Sequence, residues 1–292
     1  MQRKQFLKLL AAMPLTTMMK AQELDKVITT FDSTPTMPVL FLGHGSPMNA
    51  IEDNTFVQAF KKLGKELPKP KAILCISAHW ETKGTYVTAM QNPKTIHDFY
   101  GFPKALNDVQ YPAPGSPALA QETKNIVHMT DILLDHEWGL DHGAWSVIKH
   151  LYPLADIPVI QMSIDYTKPA AYHVALAKEL ASLRRKGVLI IGSGNMVHNL
   201  SMVAWDKLNE SYAFDWALDA SARMKESILK NDINTLINYD KQGTAFSLAI
   251  PSPEHFIPML YALALREDSD SVTLFNDLPV AGSLTMTSFV MQ

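Results

Sequence analysis

Between residues 38 and 292 the chain alternates short, continuously apolar runs with longer stretches in which apolar positions recur every three or four residues. The runs Pro38–Leu42, Ala72–Ser77, Tyr86–Met90, Ile157–Ile164 and Val188–Ile191 are mostly bounded by Gly, Pro or Lys. Continuous apolarity over so few residues predicts strands buried on both faces. Between them Asn54–Leu63, Pro117–His128, Trp145–Leu151, Pro169–Arg185, Asp215–Leu229 and His255–Leu265 carry the helical period. Ser271–Phe275 and Ser283–Met291 read as closing strands. Strand–helix alternation of this kind predicts one α/β domain over 38–292, with three layers: a central, largely parallel or mixed sheet and helices on both faces.

The segment before it has a different character. Residues 22–37 are polar and read as a linker. Residues 1–21 begin with Arg3 and Lys4, continue through the apolar stretch Leu9–Met19 and end at Ala21, a candidate cleavage residue. RKQFLK is similar to a twin-arginine export signal with one arginine replaced by lysine, so export to the periplasm is expected, with a cytoplasmic protein as the alternative. The apolar stretch is too short for a stable membrane anchor.

Charge and cysteine usage narrow the function. A formal charge of −3 with no Lys/Arg block argues against nucleic acid as a partner. With a single cysteine, Cys75, there is no internal disulfide and no Cys-rich zinc module. GSGN at 192–195 lacks the Lys-Ser/Thr of a phosphate loop, and its glycines more simply serve a sharp exit from a strand. Nothing in the pattern fixes an oligomeric state.

The ten histidines carry the chemistry. His44 (GHGSP), His79 (SAHWE), His142 (DHGAW), His198 (NMVHN) and His255 (PEHFIP) lie in short stretches rich in Gly, Pro, Ser or Trp, whereas His128, His136, His150 and His173 lie in or beside helical patterns and read as structural or solvated. His44, His79 and His198 each follow an expected strand, and ligand sites in open α/β sheets lie at the carboxyl ends of strands. The glycines flanking His44 suggest open space for a metal or substrate. Three imidazoles there can hold zinc or iron with coordination positions to spare. No H-x-x-x-H pair exists, which excludes a zincin helix.

The strings FLGHGSPMNAIEDN, ISAHWET, TIHDFYGFP, LDHGAWSVIKHLYP, IPVIQMSID, IGSGNMVHNL and GSLTMTSF together resemble the DODA-type, LigB-like (class III) extradiol dioxygenases over residues 38–292. The resemblance implies an enzyme that inserts O2 into a catechol ring of the DOPA type, with a mononuclear Fe(II) site in which zinc also binds. It places metal ligands on His44, His79 and His255, the acid/base on His198, and a second pocket histidine on His142. Glu254, beside His255, is the alternative third ligand. Asp141 is expected to cap the helix beginning near Ala144, and Tyr100, Phe102, Trp80 and Trp145 to wall the pocket. A zinc hydrolase using the same three histidines, or a non-catalytic metal-binding protein, remains open at this point.

Overall fold

The computed structural model describes residues 34–208 and 210–292, so the candidate export segment 1–21 and most of the linker lie outside the described residues. Ten strands follow in chain order: β1 Val39–Gly43, β2 Ala72–Thr82, β3 Thr85–Thr88, β4 Ile132–Asp135, β5 Val159–Asp165, β6 Val188–Gly194, β7 Val272–Phe275, β8 Pro279–Val280, β9 Leu284–Thr285 and β10 Ser288–Met291. Eight of them form one sheet in the order β4-β3-β5-β2-β6-β1-β10-β7. The four central strands, β5-β2-β6-β1, are parallel, and the sheet turns antiparallel where β3 meets β5 and where β10 meets β1 and β7. The expected mixed, largely parallel sheet is therefore present.

Both faces of this sheet are covered, which is why its strands read as unbroken apolar runs. Alternate residues of β1 enter two separate cores, Val39 and Phe41 one, Leu40 and Leu42 the other; Leu74/Ile76 and Ile73/Cys75 divide β2 in the same way. Helices α1 (Thr55–Glu66) and α3 (His142–Leu151) cover one face. Helices α2 (Pro117–Ile126), α4 (Ala170–Glu179), α5 (Asp215–Leu229), α6 (Thr244–Ala249) and α7 (Ile257–Ala264) cover the other. Local sequence sets several starts: the Asn54, Ser116 and Asp141 side chains accept from Val57, Leu119 and Ala144 main-chain N–H groups.

Three expectations change. The helix expected over Pro169–Arg185 is α-helical only to Glu179 and tightens into a 3-10 helix, Leu180–Lys186, which Gly187 ends at φ +79°. The strand expected over Ser283–Met291 is interrupted between Thr285 and Ser288, and its first part pairs with β8 in a separate two-stranded sheet. Edge strand β4 was missed by periodicity, because Leu133 is exposed and the run is only four residues long.

At the amino ends of the strands one buried ion pair ties the layers together. Arg184, fully buried, donates Nε to the Met37 carbonyl ahead of β1, Nη1 to the Leu265 carbonyl, and Nη1 and Nη2 to the two oxygens of Asp270 ahead of β7 at 2.7 and 2.9 Å. No helix among the described residues is long and apolar enough to cross a membrane.

Candidate metal centre

At the opposite, carboxyl ends of the central strands five histidines meet. His44 is the first residue past β1, and its main-chain N–H still donates to the Gly194 carbonyl at 3.1 Å, so the β1–β6 ladder fixes its position. The flanking glycines serve a different purpose from the one expected. A Cβ on Gly43 would lie 2.5 Å from the Met286 carbonyl oxygen, and one on Gly45, at φ +62°, would lie 2.4 Å from Met286 Sδ. Their space is taken by the interrupted C-terminal strand, not by a ligand.

His79 lies inside β2 rather than after it. Pairing with β6 ends at Ser77, and pairing with β5 shifts register between Ile76 and Glu81. His79 sits within that irregularity, the kind of bulge that re-aims a side chain. His142 opens α3, directly after the N-cap Asp141. The helix start packs against β2 because residue 143 has no side chain: a Cβ there would come within 2.4 Å of Ser77 Oγ and 2.7 Å of His79 Cδ2. His142 and His79 ring centroids are 3.9 Å apart as a result. His255 precedes α7, and His198 lies in the loop after β6, stacked on His255 at 3.5 Å with 7° between the rings.

One nitrogen from each of His44, His79 and His255 lies within 4.8 Å of the others. Hydrogen bonds determine which nitrogen is free. Ser193 Oγ donates to the Gly143 carbonyl at 2.5 Å and lies 3.1 Å from His44 Nδ1, so it accepts from that nitrogen and leaves Nε2 its lone pair. His255 Nδ1 faces the Glu254 carboxylate at 3.1 Å, which can only accept from it when ionised. His79 Nδ1 faces Asp98 Oδ2 at 3.4 Å. The Nε2 atoms of His44 and His79 lie 3.2 Å apart, and with the His79 proton on Nδ1 both present lone pairs to the space between the rings. Two nitrogens each about 2.0–2.1 Å from one tetrahedral ion would sit about 3.3–3.4 Å apart. The donor set fits a divalent cation, and Glu254 falls into a different group, with His198 and His255.

Electrostatics favours the same reading. Burial, with neighbouring imidazoles adding to it, holds His44 and His255 well below the ordinary histidine range. Burial and then His142 press His79 down to about 3, although Asp98 works against them. Burial lowers His198 to about 4, partly opposed by Glu254. At neutral pH these four rings carry no proton charge, the state in which imidazole binds a metal. Asp98 is desolvated, yet its bonds to His142 hold it below the usual carboxylate value. Asp141 is raised by burial and then by Asp98, while Ser77 and Gln161 donate to it.

All five sequence-nominated histidines are therefore brought together. The expected aromatic walls are mostly not: Trp145 is buried in the core, Trp80 stacks on Trp138, and Tyr100 is 94% exposed. Phe102 packs on Phe99, and it is Phe99 whose ring lies 5.5 Å from His142. Phe99 and Asp98 stand inside TIHDFYGFP beside the expected Tyr100 and Phe102, but no local pattern distinguishes them from their neighbours there. Ser46 caps the short 3-10 helix Pro47–Ala50, and Asn195 donates to the Thr285 carbonyl.

A three-layer α/β fold with a histidine-rich centre at the carboxyl edge of its parallel strands is a scaffold suited to metal-assisted chemistry on a small molecule. Residues 35–282 match the family model described as the catalytic LigB subunit of aromatic ring-opening dioxygenase. The chain belongs to this family and is an extradiol aromatic ring-opening dioxygenase. It is 46% identical over 261 residues to 4,5-DOPA dioxygenase extradiol of Escherichia coli K12, covering 88% of this chain and 95% of that one. It is 34% identical to the protein of the same name from Beta vulgaris, covering 85% and 94%. A crystal structure of a protein from Escherichia coli K12, described as uncharacterized, superposes with a TM-score of 0.76 at 41% identity, covering 87% of this chain and 99% of that one.

Proposed function

We propose that the chain opens a catechol of the DOPA type by extradiol, 4,5-cleavage, with Fe(II) held by His44, His79 and His255. The observation that carries this is the cluster of three imidazoles, His44, His79 and His255, with His198 and His142 beside it. The DOPA assignment is supported by the names of the plant and bacterial relatives. Fe(II), when bound, supplies a Lewis acid that acidifies catechol hydroxyls and an electron relay between catechol and O2.

The protein's own residues do the rest. His198 is neutral at pH 7, so it has a lone pair with which to take the second hydroxyl proton and later return it as the ring opens. Its stacking on His255 fixes that ring beside a metal ligand rather than on it. His142 contacts a substrate hydroxyl, and Phe99 offers an aromatic edge close by. Burial of His44, His142 and His255 lowers the local dielectric and strengthens each contact they make. Zinc fits the same nitrogens but has no redox chemistry, so a zinc-loaded protein is expected to bind catechol without opening it.

The test is anaerobic loading with Fe(II), then L-DOPA, then air. A yellow ring-cleavage product with matching O2 uptake is expected. Turnover of other catechols but not L-DOPA overturns the substrate, and no turnover with any of several catechols overturns the reaction. Hydrolysis that survives zinc and needs no O2 would establish the rival metal hydrolase.

A further inference from the structure

Asp98 is a carboxylate that reaches both the candidate metal ligand His79 and the candidate substrate contact His142. Its Oδ1 accepts from the His142 main-chain N–H at 2.8 Å, and its Oδ2 lies 2.9 Å from His142 Nδ1 and 3.4 Å from His79 Nδ1. The side chain is only 19% exposed, and His79, Asp98 and His142 form a group of their own with ligand atoms within 4.8 Å of one another. A second cation in that group would compete with hydrogen bonds already made and would require His79 to bridge two ions through both nitrogens. The geometry assigns Asp98 a different part.

We propose that Asp98 is a positioning residue that fixes His79 and His142 in the same tautomer, with the proton on Nδ1 and the lone pair on Nε2. This rests on the functional reading above and deepens it. An ionised carboxylate has no proton to give, so His142 Nδ1, at 2.9 Å, must donate to it, and His79 Nδ1, facing the same oxygen at 3.4 Å, is drawn to carry its proton on that side. For His79 the result is an Nε2 lone pair available to the metal, the usual way a carboxylate orients a histidine ligand. For His142 the result is a hydrogen-bond acceptor. His142 therefore recognises a catechol hydroxyl that still carries its proton, while His198 serves the hydroxyl that loses one. Because Oδ1 holds the first residue of α3, the tautomer and the position of His142 are set by one side chain.

Asp98→Asn is nearly isosteric and can still accept from the His142 main chain, but it places an NH2 group against Nδ1 and forces the proton to Nε2. With zinc as the metal, no turnover interferes with binding measurements. D98N is expected to bind zinc 10–100-fold more weakly by chelator competition. At saturating zinc it is expected to bind catechol at least about tenfold more weakly, the size of one lost hydrogen bond to a charged or polarised group. The His142→Ala background separates the two effects: the zinc loss persists there, acting through His79, while the catechol loss disappears. A catechol loss undiminished in H142A, or a D98N protein within twofold of the parent in both affinities, overturns the proposal. Should D98N fail to fold, a long-range proton–nitrogen spectrum of the parent protein decides, with the His142 signals identified by their absence in H142A. A proton on Nδ1 supports the assignment, and one on Nε2 overturns it. A parent protein that binds no catechol counts against the functional reading alone, because the tautomer is read without substrate.

Discussion

The two ends of the parallel sheet each bury a polar cluster, and they are built on opposite terms. At the amino end Arg184 is matched donor for acceptor by Asp270, Met37 and Leu265. Burial works against the charge of Asp270, but the guanidinium overcomes it and holds the carboxyl below its ordinary value. At the carboxyl end like groups face like: five imidazoles crowd together, and burial, then neighbouring rings, holds His44, His79 and His255 below the ordinary histidine range. The first cluster is closed, with opposite charges satisfying each other. The second is open, with lone pairs on His44, His79 and His255 that a divalent cation can satisfy together. A buried polar cluster that is complete serves structure, and one that is incomplete in a consistent sense marks where a ligand goes.

Removing a ligand histidine should separate the two ends most sharply. His44→Ala or His255→Ala is expected to abolish stoichiometric metal binding and lower turnover by more than about a thousandfold. Metal analysis and O2 uptake check this, and a metal-replete, active H44A would break the comparison. His198→Gln is expected to keep the metal while kcat falls about 10²–10⁴-fold, the usual contribution of a general base. A steady-state assay on protein of known metal content tests it.

The amino end should respond in stability and not in chemistry. Arg184→Ala leaves Asp270 buried without its partner and is expected to cost about 3–5 kcal/mol, read from urea unfolding, with kcat per folded molecule unchanged. A loss of kcat in the folded fraction would show that the two ends are coupled.

The smallest effect concerns a histidine on neither cluster. His173 is fully buried in α4, its Nδ1 lies 3.1 Å from the Tyr261 hydroxyl, and its Nε2 has no partner among the described residues. Burial lowers it to about 4 from 6.5. Between those pH values the unfolded chain binds a proton that the folded chain refuses, so stability falls as pH drops from about 6.5 to about 4. The full shift corresponds to roughly 3 kcal/mol. His173→Gln should remove close to one proton from the difference in uptake over that window, measured as urea midpoints against pH. An unchanged pH slope would contradict it.

Much of this was legible from the primary chain. The apolar runs read as strands because they are buried on both faces, and alternation within them could not say which core each residue enters. The five site histidines stood out because they sit among residues that make tight exits from strands and helices. Asp98 did not, since a carboxylate beside a histidine in a loop is ordinary until the partner 44 residues later is known. Nor could the glycines around His44 be understood without Met286, which reaches them from the far end of the chain.

Sequence alone thus determined the layers, the parallel centre of the sheet and the inventory of imidazoles, because those follow from local periodicity and residue chemistry. Only the tertiary structure decided which nitrogen of each ring is free, which carboxylate holds which histidine, and that Phe99 rather than a tryptophan stands at the site. Those are matters of a few tenths of an ångström between segments distant in sequence, and no local pattern encodes them.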